Sequence, residues 1–186
     1  MAKAEYKSAV RSRKKITTAL VDILQEKPLN KITVTDVVKR AGINRGTFYI
    51  HYRDIPDVID HQIQEVFFRI KEAMPVTPDT IADFSKVLLE QLKMILEEDP
   101  EYYRKVMISS VSGLVQKNLM DVLLEYLMQR EAAFSDGDHE QFVLRTRFCA
   151  GGISMLYTDW FQGKIPVSLD ELTEQAKRIL LDSLPM

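Results

Sequence analysis

Several features are scarce in this 186-residue chain. It has one cysteine, Cys149, so no disulfide can form within it, and a reducing compartment is expected. Only three histidines occur, His51, His61 and His139, and none has metal-ligand spacing with Cys149. No glycine-rich phosphate loop and no Gly-x-Ser-x-Gly elbow is present, and no carboxylates are paired as acid and base. These absences argue against an enzyme, a metal or a cofactor. The apolar runs fall far short of a bilayer span, and no basic-then-apolar leader opens the sequence. The expectation is a cytoplasmic protein with no membrane partner. Glycine and proline number only seven each against 46% hydrophobic residues, which excludes a disordered chain and allows a sizeable core.

A net charge of −2 argues at face value against nucleic acid, but its distribution points the other way. Residues 1–53 hold twelve Lys and Arg against four Asp and Glu, a balance of +8; the remainder holds thirteen against twenty-three, a balance of −10. A basic head on an acidic body approaches a polyanion head first.

The densest signal lies in Thr33–Tyr52, TVTDVVKRAGINRGTFYIHY. Thr33 with Asp36 three residues on has the form of a capping box. Val34, Val37, Val38 and Ala41 recur at helical spacing, and Gly42 follows as the residue that tolerates a left-handed helix end. Asn44 can cap a second short helix, Arg45–Ile50, with Phe48 facing inward. This is the sequence form of a helix-turn-helix, whose second helix enters the DNA major groove. Any capped helical pair with a glycine turn would share much of the pattern. Arg45 suits a guanine edge, assisted by Thr47 and Asn44, while Gly46 lets the backbone approach. Thr33, Tyr49, His51, Tyr52 and Arg53 suit phosphate oxygens.

The run TVTDVVKRAGINRGTFYIHYRD closely resembles the helix-turn-helix of the tetracycline-repressor-like (TetR) transcriptional regulators. The resemblance covers about the first third of the chain. It implies an all-α homodimer with a DNA-binding head and a variable regulatory body, a repressor bound to a palindromic double-stranded operator. A small-molecule effector or a protein co-regulator would act on the body. It also implies a lysine–phosphate contact at the position of Ile55, which isoleucine cannot make; Arg53 is the candidate replacement.

Elsewhere the periodicity predicts helices throughout, about nine in all. Met1–Lys7 reads as a polar arm, followed by a helix over 8–26 with a basic cluster at Arg11, Arg13, Lys14 and Lys15, of which one or two suit phosphate contact. The domains are placed at 1–54 for the head, 55–74 for a connecting helix that serves as a lever, and 75–186 for the body, with Pro75 and Pro78 at the junction. A helix is expected over 139–161, and Ser168 with Glu171 opens a last one. Gly151, Gly152, Met155 and Trp160, facing Leu172, Ala176 and Ile179, make a candidate dimer interface. Tyr102, Tyr103, Met107, Phe134, Arg145, Phe148 and Cys149 are candidates for an effector pocket, though aromatic and methionine residues at this spacing are more often plain core. An activator or adaptor controlled by a protein partner, without a pocket, and a helical module with no DNA role are the competing readings.

Overall fold

Local capping sets the helix boundaries of the head. The computed structural model describes residues 2–73, 81–128 and 138–183, and these form helices with no strand among them. The first, α1 (Ala2–Leu24), begins earlier than expected. The segment 2–7, expected as a polar arm ahead of the helix, is part of it, because Ala, Glu and Lys are strong helix formers. A 3₁₀ turn at Leu29–Lys31 leads into α2 (Val34–Ala41), then α3 (Arg45–His51) and α4 (Ile55–Ala73). Beyond lie α5 (Ile81–Glu98), α6 (Pro100–Ile108), α7 (Ser112–Met128), α8 (His139–Phe161) and α9 (Leu169–Ser183). Helix α8 has the expected bounds. The proline junction at 75–78 and Phe134 lie outside the described residues.

The chain divides into two compact units. The first holds residues 1–65 and 101–112. Its core is formed by Ile16, Leu20, Ile23, Val37, Phe48, Tyr52, Ile55 and Val58, all buried. Helix α6 belongs to this unit through specific polar contacts. The Lys105 ammonium lies 3.0 Å from Asp22, Gln25 Nε2 donates to the Lys105 carbonyl at 3.0 Å, and Tyr102 donates to Gln62 at 3.1 Å. The backbone N–H of Leu29 donates to Ser110 Oγ at 3.2 Å.

The second unit holds residues 66–100 and 113–186. Helices α5, α8 and α9 bury Phe84, Leu89, Ile95, Phe142, Ile153, Tyr157, Leu172, Ala176 and Leu180. Tyr157 and Thr173 hydroxyls meet at 3.3 Å between α8 and α9, and Trp160 Nε1 donates to the Val167 carbonyl at 2.8 Å across the turn that joins them. Lys177 pairs with Glu90, and Lys93 with Asp170, tying α9 to α5 at the surface.

Candidate nucleic-acid interface

Thr33 and Asp36 form a reciprocal cap at the start of α2. The Asp36 N–H donates to Thr33 Oγ1 at 3.2 Å, and the Thr33 N–H donates to Asp36 Oδ2 at 2.8 Å. Lys27 Nζ adds a contact to the same oxygen at 2.7 Å, and with the Thr33 hydroxyl it holds the Asp36 carboxyl well below the usual carboxylate range. Helix α2 ends on Gly42, whose φ of 62° is a left-handed conformation that favours glycine. The Ile43 N–H then reaches back to the Val38 carbonyl at 3.1 Å, closing the turn.

Asn44 starts α3. Its Oδ1 accepts from the Thr47 N–H at 2.7 Å and from the Thr47 hydroxyl at 3.0 Å. A β-carbon on Gly46 would sit 3.3 Å from that same oxygen, so glycine here protects the cap as well as opening the backbone. The helix has two sides. Phe48 is wholly buried, while Arg45, Gly46, Tyr49 and Ile50 are exposed. At about 100° per residue these four lie within about 140° of arc, one face turned to solvent. Phe48 anchors the other side, meeting Tyr49 edge-on at 5.5 Å and Tyr52 at 6.0 Å.

Each expected contact residue now has a place. Arg45, Gly46 and Tyr49 share the open face of α3. Thr33, Asn44 and Thr47 sit at the rim with their side chains engaged in capping. His51 is partly exposed; partial burial first, and then the charge of Arg13, lower its pKa, so the ring is neutral near pH 7 and offers an N–H. Arg13, on α1, acts by its charge on His51 at the end of α3.

Two expectations for phosphate contact meet obstacles. Tyr52 is only 2% exposed and packs edge-on against His61 at 5.4 Å, so it is a core residue. Tyr52 is the extended residue that ends α3, and burial pushes its hydroxyl pKa up. Arg53 is extended toward solvent but already engaged: Nη2 donates to Asp57 Oδ1 at 2.9 Å, and its N–H donates to Oδ2 at 2.8 Å. Ile55, where the resemblance implies a lysine, is buried in the core.

The body candidates divide between the two units. Tyr102, Tyr103 and Met107 belong to the first unit, whereas Arg145, Phe148 and Cys149 belong to the second. Phe148 is 75% exposed and cannot line an interior pocket; Cys149, its neighbour, is buried, and burial pushes its thiol up. Leu172 and Ala176 fill the core of a single chain, so they are not available to a second copy. Gly151, Gly152, Met155 and Ile179 remain at the surface or partly so, and a β-carbon on either glycine would meet no atom within 4 Å. Trp160 is half-buried. Leu144, missed in the sequence, is 70% exposed and joins Phe148, Gly152 and Met155 at i, i+4, i+8 and i+11, a spacing visible in the sequence itself. Ile50 was also missed as a surface residue of α3.

Residues 16–60 match the family described as bacterial regulatory proteins, tetR family. Over 113 residues the chain is 26% identical to the uncharacterized HTH-type transcriptional regulator YvdT of Bacillus subtilis (strain 168). That match takes in 58% of this chain and 55% of the relative, so it spans about half the relative's length. The fold is similar to that of the fatty acid degradation regulator FadR from Bacillus halodurans, at 20% identity and a TM-score of 0.66, over 91% of this chain and 94% of that one. It is also similar to that of the dihydroxyacetone kinase operon activator DhaS, at 20% identity and a TM-score of 0.55, over 93% and 96% of the two chains. Among the described residues no helix is long and apolar enough to cross a membrane. The family match falls on the capped helical pair that presents Arg45, so the head of the chain is similar to the DNA-binding segment of the tetR family of bacterial regulatory proteins.

Proposed function

We propose that this protein is a sequence-specific DNA-binding repressor of transcription that acts as a homodimer on a palindromic operator. The observation that carries the reading is the two-sided α3, with Phe48 locked in the core and Arg45, Gly46 and Tyr49 on one open face. Arg45 reads a guanine edge, and Tyr49 and the His51 N–H hold phosphates. The basic head supports the same reading, since phosphate neutralisation by Lys and Arg drives association. Binding should weaken steeply with salt. Arg45→Ala should cost about 1–3 kcal/mol and relax preference at one base position, whereas Tyr49→Phe should weaken binding to all sequences alike. Unchanged affinity and selectivity in Arg45→Ala would remove its assigned role.

A second copy fits against α8. Leu144, Phe148 and Met155, with Ile179 on α9, leave a large apolar surface in water, and the two glycines allow a neighbouring helix to come close. Two heads are needed to reach major grooves about 34 Å apart.

An effector bound in the second unit sets the state of the heads in this reading. Ser85 and Thr146 are buried hydroxyls with no hydrogen-bond partner among the described residues, which suits a ligand with a polar group and an apolar body. Helix α4 is continuous from one unit to the other, and Pro100 leads directly into α6, so both carry the signal. The effector must prefer one head spacing over the other. The same fold serves an operon activator, so transcription from a reporter carrying the operator decides the sign. Expression that rises with the protein present favours an activator, and loss of DNA binding on adding a protein and not a small molecule favours control by a protein partner.

A further inference from the structure

We infer that Ile50 reads the 5-methyl group of a thymine in each half-site. The inference rests on the proposed DNA-binding role of α3 and deepens it.

Ile50 is 79% exposed, the highest value among the exposed large hydrophobic side chains of the described residues. It lies on a seven-residue helix whose inner side is already filled by Phe48, so no core position is open to it without unwinding α3. It shares the open face with Arg45, Gly46 and Tyr49. That face is otherwise polar and lies in the basic head, where a branched aliphatic side chain gains nothing from water.

Isoleucine has no donor or acceptor, so it cannot bond a phosphate oxygen or the nitrogen and oxygen atoms of a base edge. The apolar group that base pairs present in the major groove is the thymine methyl at C5. Gly46 lies one turn before Ile50 and lets the backbone come close to the base edges, which brings a short, branched side chain within reach. Arg45 and Ile50 are five residues apart along α3, about 7.5 Å at 1.5 Å per residue. With base pairs about 3.4 Å apart, the thymine should fall about two pairs from the base that Arg45 reads. Specificity at that position is then an apolar contact and not a hydrogen bond.

The test uses the full-length protein and DNA recovered by selection from a random pool. Each thymine of the recovered site is replaced in turn by deoxyuridine, which removes the methyl group and keeps every hydrogen-bonding atom. For the wild type, one thymine per half-site should weaken binding about fourfold on loss of its methyl, the value of one buried apolar carbon. In Ile50→Ala, which is exposed and leaves the fold intact, the same replacement should have no effect, and Ile50→Val should fall between. Wild-type binding that is indifferent to the methyl at every thymine overturns the inference and leaves DNA recognition by α3 standing. A methyl effect of undiminished size in Ile50→Ala also overturns it, because another side chain then makes the contact. A pool from which no sequence is enriched overturns both the inference and the reading beneath it.

Discussion

One oxygen of Asn44 holds two groups of Thr47, the backbone N–H at 2.7 Å and the hydroxyl at 3.0 Å. The pair begins α3 and aims the first turn, which carries Arg45 and Gly46. Replacing Asn44 by alanine should cost about 1 kcal/mol of stability through loss of the cap. Asn44→Asp keeps an acceptor for the same N–H but places a negative charge where DNA phosphates approach. Unfolding of Asn44→Asp should match the wild type while its DNA affinity drops; equal affinity would show that the N-cap lies away from the phosphates.

Tyr52 separates core from contact. Its ring lies between Phe48 and His61 in the head, so Tyr52→Ala should lose about 3–5 kcal/mol of stability, as aromatic truncations in a core do. Tyr52→Phe should keep both fold and DNA affinity. A marked loss of affinity in a stable Tyr52→Phe protein, measured by titration against operator DNA, would give its hydroxyl a direct role.

The capping box of α2 should respond to acid. Lys27 and Thr33 hold the Asp36 carboxyl below its ordinary value near 3.8, so the unfolded chain takes up a proton more readily than the folded one. The stability contributed by Asp36 is therefore fully present above that ordinary value and is lost as pH falls through the lower folded value. Thermal unfolding followed from pH 6 downward should show a steeper loss below about pH 4 for the wild type than for Asp36→Asn. Parallel curves would mean that the carboxylate contributes nothing as a charge.

Association should depend on the open side of α8. Phe148→Glu places a charge in the middle of the Leu144–Phe148–Met155 stripe and should give a monomer by sedimentation, with unchanged helix content. Its affinity for a two-half-site operator should fall, because one head alone makes half the contacts. A dimer that survives the substitution would move the interface elsewhere.

The parts legible in the sequence are those decided by neighbours within one helical turn. Thr33, Gly42 and Asn44 act on residues three or four positions away, so their side chains announce the helix ends. The inward side of α3 was legible for Phe48, whose flanking residues are polar. Tyr52 was not, because its burial depends on His61, on the next helix. Helix α6 joins the first unit through Lys105 and Asp22, 83 positions apart, a relationship that no local pattern carries. On α9, Leu172 and Ala176 turn inward and Ile179 outward, although all three are apolar and fit one helical stripe. Periodicity shows that a helix has an apolar side, not which part of that side meets its own chain.

DNA recognition in this protein depends most on α3 being held by the head so that its open face meets base edges. Selection of bound sequences from a random DNA pool by the full-length protein tests it most directly. The predicted result is an inverted repeat of fixed spacing, with a guanine in each half-site whose preference vanishes in Arg45→Ala. Recovery of no enriched sequence, or of one whose guanine preference is untouched by Arg45→Ala, would contradict it.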